Sequence, residues 1–164
     1  MAETPGRGKH PALTDGPTGL PNKLHFDTVF HVSFAAGRRG IPLTLLLLEV
    51  DDYLRWASSQ ESAAVDQAMR ALGETLAAAI RQTDLLARLD EARFALVMLD
   101  CNLAGARLVS DRLEGLLERF RSQSGLTCSM GVAAYGRDMD RPHHLVGMAE
   151  RALRVAQARG GNQT

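Results

Sequence analysis

A chain of 164 residues, 45% of them hydrophobic, is long enough to bury one core and too short for two comfortable ones. Its nineteen basic and nineteen acidic residues cancel, which excludes a global draw towards nucleic acid or anionic lipid and leaves any basic site to be local. No signal peptide is visible and the apolar run Leu43–Val50 is far too short to cross a bilayer, so a cytoplasmic protein without membrane insertion or nucleic-acid partner is expected.

In chain order, residues 1–14 combine Gly, Pro, Lys and His with little apolar content and predict a flexible leader, with a single domain over 15–164. Apolar residues at Leu24, Phe26, Val29, Phe30, Val32 and Phe34 predict an amphipathic opening helix that ends near Gly37–Gly40. Leu43–Val50 reads as a buried strand. Over Ala63–Arg81, the residues Ala64, Ala68, Leu72, Leu76 and Ile80 recur every four residues and predict a helix packed on a sheet. Trp56, just upstream, is expected in the core. Leu85–Arg88 and Phe94–Leu99 are short apolar runs around a polar tip, the pattern of a β-hairpin. A second helix is predicted from Leu103 to about Phe120, then a strand over Leu126–Tyr135. Asp140-Arg141-Pro142 supplies a cap and an early proline for a last helix running to about Ala158, with Gly160-Gly161 as its stop. The order β, α, hairpin, α, β, α predicts an α+β fold, an antiparallel central sheet of ferredoxin-like plan covered by helices. Two cysteines, Cys101 and Cys128, lack metal-ligand spacing and are expected to be buried thiols. His143-His144 have no Cys or spaced His partner, and His10, His25 and His31 are no better placed, so no metal centre and no cofactor are expected.

The segment Arg81 to Phe94, Arg-Gln-Thr-Asp-Leu-Leu-Ala-Arg-Leu-Asp-Glu-Ala-Arg-Phe, resembles the active-site hairpin of the GGDEF domain of bacterial diguanylate cyclases, where the pattern is Arg-x-Gly-Gly-Asp/Glu-Glu-Phe. The resemblance extends over nearly the whole chain. Asp15-Gly-Pro-Thr-Gly-Leu-Pro-Asn-Lys23 is similar to the opening Asp-x-Leu-Thr-Gly-Leu-x-Asn-Arg. Leu45-Leu-Leu-Leu-Glu-Val-Asp-Asp-Tyr53 is similar to the first strand and the Asp-x-Asp-x-Phe that follows it. Ser129-Met-Gly-Val-Ala133 resembles Ser-Ile-Gly-Ile-Ala, and Ala149-Glu-Arg-Ala-Leu-Arg-Val-Ala-Gln157 resembles Ala-Asp-x-Ala-Leu-Tyr-x-Ala-Lys. The fold implied is that of the nucleotidyl cyclases.

The chemistry implied is attack of one GTP's 3′-hydroxyl on another's α-phosphate, with two divalent cations in each site. The resemblance puts a metal ligand at Glu49, where the family has Asp, and a second at Arg93, where a guanidinium that cannot deprotonate replaces a carboxylate. Ala92 takes the preceding acidic position. Asp90 and Glu91 take the two glycine positions, which in active enzymes let the backbone approach the phosphates. Sliding the register so that Asp90-Glu91 supplies the acidic pair would move Phe94 out of its place. Of the base-contacting positions, Asp66 keeps the aspartate while Ala57 replaces an asparagine, and Gln157 replaces the terminal phosphate-binding lysine. Glu49, Asp51, Asp52 and Asp66 read equally as solvated charges at strand and helix ends. The resemblance therefore implies a degenerate cyclase with its substrate site dismantled.

Arg81-x-x-Asp84 stands at the spacing of the family's inhibitory site, which binds cyclic di-GMP as an intercalated dimer. A planar guanidinium can fork to phosphate or to the guanine O6/N7 edge, and an aspartate can accept from guanine N1 and N2. Arg112 is the candidate second arginine, with Arg107 its competitor. The plain alternative is a helix-terminal arginine favoured by the helix dipole and an ordinary loop aspartate. Three functions follow as expectations: a non-catalytic cyclic di-GMP receptor with a protein partner and a ligand-dependent homodimer, a protein-interaction scaffold that binds no nucleotide, and a weak diguanylate cyclase.

Overall fold

Strand β1 (Leu43–Val50) is buried along almost its whole length because both of its faces are covered. In the computed structural model, which describes residues 10–164, it pairs antiparallel with β3 (Arg93–Leu99) on one side and β4 (Cys128–Ala134) on the other. Strand β2 (Leu85–Arg88) completes the hairpin with β3, and the sheet order is β2-β3-β1-β4. Successive side chains of a strand point to opposite faces. Leu46, Leu48 and Val50 accordingly join one core under α3 (Ser62–Ala77) and α4 (Leu103–Ser124), with Met69, Leu72, Leu76, Val109 and Leu113. Leu43, Leu45 and Leu47 join the other, under α1 (Lys23–Arg38) and α5 (Pro142–Ala158), with Phe26, Phe30, Phe34, Leu145 and Leu153. The α+β sandwich expected from the pattern is the fold observed.

Local chemistry sets the helix ends. The Asn22 side chain accepts from the His25 N–H and that of Asn102 from the Gly105 N–H, which satisfies first-turn donors. Gly125, at φ 75°, closes α4 in the left-handed conformation. Helix α5 has Arg141 at its cap without a side-chain hydrogen bond. Asp140, expected as the cap, instead meets His144 Nδ1 at 2.8 Å.

Several expectations are corrected. Residues 1–9 of the expected leader lie outside the described residues, but Pro11–Leu13 form a 3-10 turn and Thr14 bridges to Pro21. A short helix α2 (Tyr53–Ser58) follows β1. Helix α3 stops at Ala77, before Arg81, and turns Val65 and Met69 inward while Ala64 is exposed. Ala68, Leu72, Leu76 and Ile80 of the expected stripe do pack on that core, and only its first member falls outside, because an exact four-residue spacing drifts off a 3.6-residue helix face. Trp56 is half-buried and packs beside Tyr53, and both cysteines are buried free thiols.

Candidate functional site

Glu49 and Arg93 face each other across β1 and β3 as register partners. Two guanidinium donors of Arg93, Nε and Nη2, reach Glu49 Oε2 at 3.0 and 2.7 Å. From α5, Glu150 Oε1 takes a longer contact from Arg93 Nη1 at 3.5 Å, and Gln157 Nε2 donates to Glu49 Oε1 at 3.1 Å. Both oxygens of Glu49 are therefore engaged. Burial opposes the charge on Arg93, but the hydrogen bond and charge of Glu49, with Asp90 and Glu150 behind them, outweigh it and raise the guanidinium's pKa above its ordinary value.

The hairpin tip is closed by Asp90, whose Oδ1 accepts from the backbone N–H of Ala92 at 3.0 Å and of Arg93 at 2.9 Å. Beneath the tip lies Arg88, only 6% exposed. Its Nη2 donates to the Glu91 carbonyl at 2.7 Å, its Nη1 meets Asp15 Oδ2 at 3.2 Å, and its Nε is buried without a partner. Arg88, which in the sequence marks only the register of the hairpin, organises the site in the structure. Its place at the last position of a buried strand, directly after Leu85, Leu86 and Ala87, is the signal that the sequence carries.

Two adjoining clefts share Tyr53, Asp90 and Glu91. One, of about 720 Å³, is lined by Glu49, Asp52, Leu54, Arg55, Ala92 and Arg93 as well. The other, of about 590 Å³, adds Asp15, Ala57, Asp66 and Arg88. The positions singled out as substrate-site counterparts thus gather around one groove, with Gln157 attached through Glu49. Hard divalent cations need free carboxylate oxygens. Here Glu49 is committed to Arg93 and Gln157, while Asp51 accepts from Thr127 Oγ1, Ser129 Oγ and the Asn162 N–H at 2.8, 2.7 and 3.1 Å. A cation beside Glu49 would also meet the guanidinium, a like charge at contact distance. The donor set does not fit the family's cation pair, and among the described residues no group of three or more His, Cys, Asp or Glu is arranged to hold a metal.

Arg81 and Asp84 meet elsewhere, at the turn between α3 and β2, and Arg112 reaches the start of that turn from α4. Asp84 Oδ2 accepts from the Arg81 N–H at 3.0 Å, and the Asp84 N–H returns to the Arg81 carbonyl at 3.1 Å. From α4, Arg112 Nη1 donates to the Ala79 carbonyl at 3.0 Å. The Arg81 side chain is exposed, Asp84 is half-buried, and Arg107 is exposed on the same helix as Arg112. Cys101 lies within electrostatic reach of this turn: burial raises its thiol pKa, Arg81 opposes the rise and Asp84 adds to it.

The family model described as the GGDEF domain of diguanylate cyclases matches residues 12–163. The chain belongs to the GGDEF family. This GGDEF domain is 26% identical over 159 residues to the response regulator PleD of Caulobacter vibrioides, covering 92% of the chain and 35% of PleD. It therefore spans about a third of that relative's length. Among solved structures, the GGDEF domain of DgcB from Caulobacter crescentus, in complex with c-di-GMP, superposes with a TM-score of 0.83 at 21% identity, covering 94% of this chain and 95% of that one. The diguanylate cyclase SiaD of Pseudomonas aeruginosa, in complex with its activator SiaC, gives 0.83 at 22% identity, covering 93% and 60%. These two likenesses are likenesses of fold. No helix among the described residues is long and apolar enough to cross a membrane.

Proposed function

We propose that this GGDEF domain is a non-catalytic receptor for cyclic di-GMP that binds the ligand through Arg81, Asp84 and Arg112. The observation that carries the reading is the hydrogen bond from Arg112 to the Ala79 carbonyl, which draws a second guanidinium from α4 to the turn holding Arg81 and Asp84. Two arginines and one carboxylate match the needs of a guanine dinucleotide, whose phosphates and O6/N7 edges accept and whose N1 and N2 donate. The engaged Glu49 and the Arg93 beside it support the loss of cyclase chemistry, because transfer to an α-phosphate needs cations, and here the carboxylate is occupied and the guanidinium repels them. The c-di-GMP complex of DgcB and the activator complex of SiaD support a ligand and a protein partner of these classes.

Calorimetry with cyclic di-GMP tests it. Micromolar or tighter binding is expected, at about two nucleotides per chain, and Arg81→Ala should weaken it at least about tenfold through the loss of a charge-assisted bond. The thermal melt of the variant should match the wild type, since the Arg81 side chain is exposed. Light scattering on the same samples reads whether the ligand joins two copies. Equal affinity in wild type and variant, or steady GTP turnover with Mg²⁺ or Mn²⁺, would remove the reading.

A further inference from the structure

A cleft built for a metal-bound triphosphate has to offer free carboxylates to the cation and free backbone amides to the phosphate. At the tip between β2 and β3 both needs are met from within the chain. Arg93 sets a positive charge between Glu49 and Glu150, at 2.7 and 3.5 Å. Asp90 sets a negative charge on the amides of Ala92 and Arg93, at 3.0 and 2.9 Å. Arg93 takes part in both, its side chain held by a carboxylate of β1 and its backbone by a carboxylate of the tip.

We propose that the cleft is self-liganded: the Arg93 guanidinium stands in for a cation and the Asp90 carboxylate for a phosphate oxygen, so the tip keeps its closed form with neither metal nor nucleotide. The inference rests on the non-catalytic reading of this cleft and is independent of binding at the Arg81 turn. The stand-ins are tethered, so their effective concentration exceeds that of a free ligand. They also have the wrong sign for newcomers. A cation meets Arg93, and a phosphate meets Asp90 with the exposed Glu91 beside it. No residue from Leu89 to Arg93 adopts a positive φ, so the tip needs no glycine, and Asp90 holds the turn through its own side chain.

Hydrogen exchange on the whole chain and titration with manganese alone test this. In the wild type the Ala92 and Arg93 amides should be protected without ligand, and GTP with Mg²⁺ should leave that protection unchanged. Asp90→Ala should speed exchange at these two amides by about tenfold or more, while Asp90→Asn, which keeps an acceptor oxygen, should retain most of the protection. Arg93→Glu should bind manganese at least about tenfold more tightly than the wild type, because a carboxylate replaces the repelling charge. Unchanged exchange in Asp90→Ala, added protection of the wild-type tip by GTP and Mg²⁺, or equal manganese affinity in wild type and Arg93→Glu would each overturn the proposal. The Asp90 pair remains decisive if Arg93→Glu fails to fold. GTP turnover by the wild type would instead strike at the non-catalytic reading itself.

Discussion

Arg88 carries a full charge at 6% exposure, and its partners explain how the fold bears that cost. A buried guanidinium is tolerated only where its donors are paired. Nη1 and Nη2 are paired, to Asp15 and to the Glu91 carbonyl, and only Nε goes without a partner, while the guanidinium lies 6.0 Å from the centre of the Phe94 ring. Arg88→Ala should cost about 2–4 kcal/mol in urea denaturation, since it leaves the Glu91 carbonyl at the tip without its donor and the half-buried Asp15 carboxylate with only the Thr18 N–H and hydroxyl. Arg88→Lys should recover only part, because an ammonium cannot fork to both. A loss below about 0.5 kcal/mol would show that Thr18 and water satisfy Asp15 without the guanidinium. At this scale the sequence was legible in identity and opaque in pairing. That an arginine stands at position 93, next to Phe94, could be read from the sequence. That Arg93 would be answered by Glu49, and that Asp90 would fold back on the tip amides, depended on a strand register and a turn geometry that residue order does not display.

Gly131 shows how one element dictates the composition of another. It lies in β4 under α5, and a Cβ there would stand 2.3 Å from the Ala149 carbonyl oxygen and the Leu153 nitrogen. Backbone cannot yield as a side-chain end can, so helix and strand would have to part. Gly131→Ala should destabilise the domain by about 3 kcal/mol or more, a loss read as a lowered melting temperature. Gly115→Ala, in α4 where nothing lies within 4 Å of the added carbon, should instead stabilise by about 0.5–1 kcal/mol. If the two variants melt alike, α5 does not sit on β4 as described. The long elements were legible because each repeats its apolar period for several turns or across both strand faces. Helix α2 was not, because Tyr53–Ser58 is too short to show a period. It begins just after Asp52, a non-glycine residue at φ 52°, where no glycine signals the left-handed turn.

At the scale of the whole molecule, the core on one face of the sheet takes in both thiols. Burial in the core under α3 and α4, with the Asp51 charge nearby, pushes the Cys128 thiol up to about 12. A raised folded-state value means that the neutral thiol is the form the fold prefers. The stability tied to it is complete below the unfolded value of about 8.5 and is lost progressively as pH climbs towards the folded one. Melting temperatures should therefore fall between about pH 8.5 and 11 more steeply in the wild type than in Cys128→Val. Parallel slopes would mean that the thiol does not stay buried. The alternation of Leu43–Val50 between two cores, the antiparallel plan, the membership of the GGDEF family and the gathering of candidate residues near the hairpin were all written in apolar periods and short motifs, since these act between neighbours in the chain. The closing of the cleft on itself was decided by the fold alone. Glu49 and Arg93 are far from each other and from Glu150 and Gln157 of α5 in sequence, and only the pairing of β1 with β3 under α5 brings them within hydrogen-bonding distance. Electrostatics falls off with separation in space, and residue order carries no measure of that distance.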